Sequence, residues 1–291
     1  MAEGFDGDWL ELREPFDAAS RNEGLARLLA SRLPAQRPHL LDLGAGTGSL
    51  TRWLGHYIRR PHAWTLADAD PLLMERAFDD TAHAAEAMGW RATFPSKKTL
   101  LVHTPHGAWR IEGVLTDLAR APAGLPLASV HAVTCSALCD LVSAGWVERL
   151  AAALAARRLP FYAALNVSGR ERWVPPHPGD AIVARGFGRD QRRDKGFGGP
   201  ALGAAAPAAI AGAFAAHGYQ VHRAPSPWLI HRRAGEMAGE LALGHAAAAL
   251  AHERRERRRI LAWQEDRLDQ AAEGRLAVTV PHEDVLCLPP G

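Results

Sequence analysis

LLDLGAGTGSL (residues 40–50) decides how this chain is read. An apolar run ends in Asp42, and Gly44, Gly46 and Gly48 follow at every second position. The run His39–Leu43 reads as a short buried strand, and a helix begins near Ser49. Glycines between them permit a tight turn and let backbone N–H groups come close to a ligand. The third glycine stands one residue too early for the dinucleotide fingerprint G-x-G-x-x-G. A carboxylate on the strand would also repel a pyrophosphate, whereas it suits a ligand carrying an ammonium group.

Outward from this loop, strands alternate with helices. A second strand leads into LADADP (residues 66–71), where Pro71 stands in the first turn of a helix reaching Met88. Residues 99–115 read as a hairpin turning at Pro105-His106-Gly107, and its second arm ends in TDL (116–118). Further strands are expected at 130–135 and 161–165, with a helix over 143–156 between them. Two last strands are expected at 219–223 and 276–280. Helices are expected over 204–217 and 235–272, and in the first forty residues, where Asp17 is positioned to cap one. This alternation predicts an α/β fold built on a mostly parallel sheet. A single domain over residues 1–291 is expected. Its cap comprises an N-terminal helical cover (1–36), an aperiodic Gly-, Pro- and Arg-rich loop (168–203) and a helical insertion (235–272).

The acidic strand ends carry the chemistry. A carboxylate at Asp68 can accept hydrogen bonds from two ribose hydroxyls, with Asp70 as the alternative. Asp117 accepts from an adenine amino group while Leu118 packs on the ring. LLDLGAGTG, LADADP and the TDL ending together resemble the cofactor motifs of class I S-adenosylmethionine-dependent methyltransferases over about residues 37–165. The resemblance implies a Rossmann-like sheet of seven strands in the order 3-2-1-4-5-7-6, the last antiparallel. It implies S-adenosylmethionine as cofactor, with Asp42, Gly44 and Gly46 at the methionine moiety, Asp68 at the ribose and Asp117 at the adenine. Ala45, Gly48, Ala69, Leu118 and Ser136 complete the cofactor set.

The acceptor is less legible. Asp140, just past the fourth strand, reads as a general base or as a helix-opening carboxylate favoured by the macrodipole. Tyr162 on the fifth strand is either a catalytic phenol or core. Asn166 at that strand's end is a substrate candidate. The stretch GFGRDQRRDKGFGGPALG (186–203) sets Arg189, Arg192, Arg193 and Lys195 among glycines, an arrangement suited to closing over an anionic acceptor. Arg13 or Arg21 could bind a carboxylate, or form surface ion pairs. Cys135 reads as a small buried hydrophobe.

Bulk properties fit a globular enzyme: 291 residues, 47% hydrophobic, with a formal charge of +2. That charge is too small to argue for nucleic acid. Three cysteines make no disulfide framework, and neither a signal peptide nor a membrane span is read, so a cytoplasmic setting is expected. No histidine spacing supports a metal site. The expected function is methyl transfer to O or N of a small, anionic metabolite. The alternatives are an RNA or protein methyltransferase docking through HERRERRRI (252–260), where Glu253 and Glu256 interrupt the arginines, and a non-catalytic cofactor-binding scaffold.

Overall fold

The computed structural model describes residues 6–291, so the first five residues of the expected N-terminal cover lie outside the described residues. The chain opens with α1 (Gly7–Ser20) and α2 (Glu23–Arg32). Asn22 caps α2 through its side chain, whereas Asp17, the expected cap, lies inside α1. Then come β1 (His39–Leu43), α3 (Ser49–Gly55), β2 (His62–Asp68) and α4 (Pro71–Ala87), the last capped by Asp70. A meander follows: β3 (Arg91–Ser96), β4 (Thr99–Thr104) and β5 (Gly107–Leu115). After it run β6 (Ala132–Ser136), α5 (Ala144–Ala155) and β7 (Phe161–Val167).

The second half holds β8 (Arg172–Val174), α6 (Asp180–Gln191), α7 (Ala206–Ala215), β9 (Gln220–Pro225) and β10 (Trp228–Ile230). It ends with α8 (Gly235–His252), α9 (Arg257–Ala272), β11 (Ala277–Val280) and β12 (His282–Leu288).

One sheet has nine strands in the order β3-β4-β5-β2-β1-β6-β7-β12-β9. From β5 to β7 neighbours are parallel, while β12 runs antiparallel to both β7 and β9. The seven strands from β5 to β9 therefore stand in the expected 3-2-1-4-5-7-6 order, and β3 and β4 extend one edge. The expected last strand, 276–280, is corrected: it is β11 of a separate sheet ordered β10-β11-β8, and β12 takes the place in the large sheet. Residues 168–203 are also not one loop. They contain β8 and the three-turn α6, whose glycines lower its helix propensity. Gly186 compensates by close packing, since a Cβ there would lie 2.6 Å from Ala249 Cα.

Three apolar clusters result. One lies under α2, α3 and α4 on one face of the large sheet, and a second under α5 and α7 on the other. The third joins the small sheet to α6, α8 and α9, with Trp9, Leu12 and Phe16 of α1 packed against it. The cap thus has a core of its own and stands over the carboxyl ends of the parallel strands. Ligands of open α/β sheets bind in that position.

Candidate active site

A cleft of about 1790 Å³ runs from the glycine loop to the inner faces of α6 and α8. At its base lie Gly44 and Gly46; they and Gly48, which caps α3 and does not line the cleft, have positive φ (63°, 53° and 80°), a region costly for residues with a Cβ. The Gly44 amide donates to Ala67 O at 2.8 Å, stitching the turn to β2. The Gly46 amide donates to Asp68 Oδ2 at 2.8 Å, and the Asp70 amide to Asp68 Oδ1 at 3.0 Å. Asp70 itself accepts from Leu72 N at 2.8 Å as the cap of α4, which leaves Asp68 as the rim carboxylate. Asp117 accepts from Ala119 N at 3.0 Å and stands exposed beside buried Leu118. Its position caps the turn that carries the Leu118 wall.

Asp42 is buried beneath the loop, where Thr134 Oγ1 donates to it at 2.9 Å and Thr51 Oγ1 at 3.3 Å. Burial raises its carboxyl to about 7, against the pull of those hydroxyls and of Arg21. The register explains one donor: Asp42 and Thr134 are paired neighbours on parallel β1 and β6. Past β6, Ala137 holds φ 51°, a strained conformation for a residue with a Cβ, and its amide donates to Ala164 O at 3.0 Å. That turn presents Ser136, Ala137 and Leu138 to the cleft.

α1 forms a wall that the sequence reading assigned only in part. Leu10 lies over Gly46, where an added Cβ would sit 3.2 Å from Leu10 Cδ1. Ion pairs from Arg76 to Asp8 and from Arg52 to Glu14 fasten the helix to α3 and α4. Arg21 is fully enclosed; its Nη2 donates to Ser49 Oγ at 2.9 Å and to Ser136 Oγ at 3.1 Å, while its Nε has no partner. Arg13 is held along Asp17 at 3.2 Å and over the Trp228 ring at 4.7 Å, so it is a buried ion pair and not a surface one.

The cap supplies the far wall. Phe187 of α6 stacks on His245 of α8 at 3.9 Å between centroids. His245 Nδ1 lies 2.7 Å from Leu241 O, a carbonyl that only accepts, so Nδ1 carries a proton. Its Nε2 lies 3.3 Å from Glu171 Oε1, with both side chains buried. Burial pushes the Glu171 carboxyl up, but the His245 ring outweighs it and holds it below its usual range.

Several expected acceptor residues stand elsewhere. Tyr162 is core: it is fully buried, its hydroxyl donates to Asp284 Oδ2 at 2.7 Å, and burial with that neighbouring charge pushes the phenol well up. Asn166 is buried in the sheet, its Nδ2 donating to Ala163 O and Glu283 O at 2.9 Å each. Arg189 points away from the cleft onto Glu253 at 2.6 Å. Arg193 and Lys195 do line the cleft, but both lie on Asp190, at 2.9 and 3.6 Å. Asp140 does not open α5, because Ser143 is the cap. It is buried behind the lining residue Leu141, its Oδ1 has no partner, and burial pushes its carboxyl up. Cys135 is buried as expected, 3.6 Å from the Cys139 sulfur. The basic tract 252–260 contributes nothing to the cleft lining.

No family model and no curated protein matches the sequence. Solved structures do. A protein assigned as a type II methyltransferase from Anaeromyxobacter dehalogenans is 18% identical over 94% of this chain and 99% of its own, with a TM-score of 0.48. A SAM-dependent methyltransferase from Geobacter sulfurreducens, bound to S-adenosyl-L-homocysteine, is 16% identical over 92% of each chain, with a TM-score of 0.41. The cyclopropane synthase MmaA2 from Mycobacterium tuberculosis is 11% identical over 91% of this chain and 83% of its own, with a TM-score of 0.42. The sheet order β5-β2-β1-β6-β7-β12-β9, with β12 antiparallel, is the one the motif resemblance implies. The fold is Rossmann-like, a mainly parallel sheet with β12 antiparallel. In that fold the glycine loop, Asp68 and Asp117 stand side by side at the carboxyl ends of β1, β2 and β5.

Proposed function

We propose that the protein transfers the methyl group of S-adenosylmethionine to an oxygen or nitrogen of a small molecule. The observation that carries this is the acidic base of the cleft. Asp42 lies under a backbone-lined glycine turn, with Asp68 and Asp117 at the next two strand ends, and this spacing suits an ammonium, a ribose and an adenine in turn. Arg21, enclosed beside Ser49 and Ser136 with an unpartnered Nε, fits the cofactor's carboxylate. The transferred methyl then faces the cap, where positioning the acceptor in line contributes most of the rate. Asp140, a buried carboxyl with an unpartnered Oδ1 next to the lining residue Leu141, is the candidate proton acceptor.

The anionic acceptor expected from the loop's cations finds little support, because Arg193 and Lys195 converge on Asp190 and Arg189 on Glu253. The tract 252–260, through which RNA would dock, stands apart from the cleft. Titration calorimetry with S-adenosylmethionine and S-adenosylhomocysteine on folded protein tests the reading. Binding of neither ligand would overturn it, and a steep loss of acceptor affinity with salt would revive the nucleic acid.

A further inference from the structure

The cleft, at about 1790 Å³, is larger than the ~300–1,000 Å³ usual for one ligand, so it has room for an acceptor beside the cofactor. Its cap end has a consistent character. Most charged groups there have partners: Asp190 with Arg193, Lys195 and His252, Asp194 with the amides of Gly196 and Gly199, and His245 with Glu171. Lys195 is only 16% exposed through its side chain, folded toward Asp190. An anionic acceptor would have to compete with Asp190 for Arg193 and Lys195. Much of the remaining wall is apolar, beside Gln191, whose buried Oε1 has no partner, and Glu240, exposed at the rim. Phe187 is braced against His245, Phe197 meets the edge of Trp146, and α8 offers Gly244 and Ala248 one turn apart. A Cβ on Gly244 would have nothing within 4 Å, so the wall is open there.

We propose that this chamber takes an uncharged acceptor with an aromatic or branched apolar body, seated against Phe187 and Ala248, and that Gly244 sets the size admitted. This rests on the cofactor reading for the other half of the cleft. The acceptor's reactive oxygen or nitrogen points toward the glycine loop, and the apolar body is drawn from water by burial against the cap.

Fluorescence titration of the full chain with two probes of similar shape tests this. N-phenyl-1-naphthylamine is neutral, and 1-anilinonaphthalene-8-sulfonate carries a permanent negative charge. The neutral probe should saturate one site, with S-adenosylhomocysteine present or absent, and the sulfonate should bind about tenfold more weakly, since its charge must compete with Asp190 for Arg193 and Lys195. Gly244→Phe has space for its Cβ and removes a helix glycine, so the fold should hold; it should weaken the neutral probe about tenfold by filling the chamber. Ala248→Trp should act in the same direction, and both variants should keep the native affinity for S-adenosylhomocysteine. Tighter binding of the sulfonate, no saturable neutral site, or unchanged neutral binding in both variants would overturn the proposal. Calorimetry of the native chain with S-adenosylhomocysteine separates the two readings. Failure there removes the cofactor assignment, while the neutral-probe titration without cofactor still decides the chamber.

Discussion

Gly46 and Asp68 are joined by a hydrogen bond of 2.8 Å from the loop amide to the strand-end carboxylate. The second carboxylate oxygen holds the Asp70 amide, so one side chain fixes the turn and its neighbour together. Asp68→Ala removes both acceptors along with the proposed ribose ligand. Calorimetry should show affinity for S-adenosylhomocysteine falling about 10- to 100-fold, the equivalent of about 1–3 kcal/mol. Asp70→Ala should instead cost about 1 kcal/mol of stability as a lost helix cap, with affinity little changed. The reverse pattern would move the ribose to Asp70.

Gly46→Val tests the turn itself. At φ 53° a β-branched residue is strained, and its Cβ would press on Leu10 Cδ1. Cofactor binding should vanish in calorimetry while circular dichroism still reports a folded α/β protein. Normal binding by the variant would place the cofactor elsewhere.

Arg21→Met tests the carboxylate. Affinity for S-adenosylhomocysteine should fall about tenfold or more, the scale of a lost charged hydrogen bond. Affinity for 5′-methylthioadenosine, which lacks the amino-acid arm, should stay close to native. Equal losses for both ligands would make Arg21 a structural residue.

Asp42 gives a pH signature. Burial lifts its carboxyl to about 7, above the unfolded range near 3.8. Between about pH 4 and 7 the folded chain holds a proton that the unfolded chain lacks. Its contribution to stability is therefore present at low pH and is lost as pH rises through 7. Asp42→Asn should remove that loss and raise the melting temperature at about pH 8, while weakening the cationic cofactor. Thermal denaturation across pH, with calorimetry, reads both effects; a variant less stable at high pH would refute the account.

Buried histidines act in the opposite sense. Burial pushes His62 and His282 down to about 4, below the unfolded value of 6.5. The unfolded chain takes up protons first, so stability is lost as pH falls from about 6.5 to 4, by up to about 3 kcal/mol for each ring. His62→Phe keeps an aromatic ring against Trp109, whose centroid lies 5.1 Å away, and should flatten this acid limb in denaturant titrations. An unchanged slope would mean His62 titrates freely.

The parts legible in the sequence are those whose chemistry is local. A glycine turn after an acidic strand end needs no tertiary context, and so the loop, Asp68 and Asp117 stand together in the fold. β11 is the more evenly apolar of the two strands flanking Pro281, whereas β12 opens with His282, Glu283 and Asp284, so local composition points to the wrong one for the large sheet. α6 escapes notice because its helix depends on α8 packed against Gly186. Tyr162 and Asn166 sit on a strand buried on both faces, where polar groups serve the sheet: Asp284, which receives the Tyr162 hydroxyl, also accepts from the amides of Leu165 and Asn22. The cap wall of Leu241, Gly244, His245 and Ala248 belongs to an alanine-rich helix whose composition gives no sign of a ligand. Thr134 was within reach, since a hydroxyl on the strand beside Asp42 is what a buried carboxylate needs.

The contact of Gly186 with Ala249 leaves no room for even one methyl group between α6 and α8. Any sliding of the two helices would drive a neighbouring side chain into that contact, which favours their moving as one plate. If the cleft opens, the plate swings as a unit about the segments that join it to the large sheet. Its inner contour is then moulded before any guest arrives, and a change of preferred guest comes from reshaping single positions on that plate.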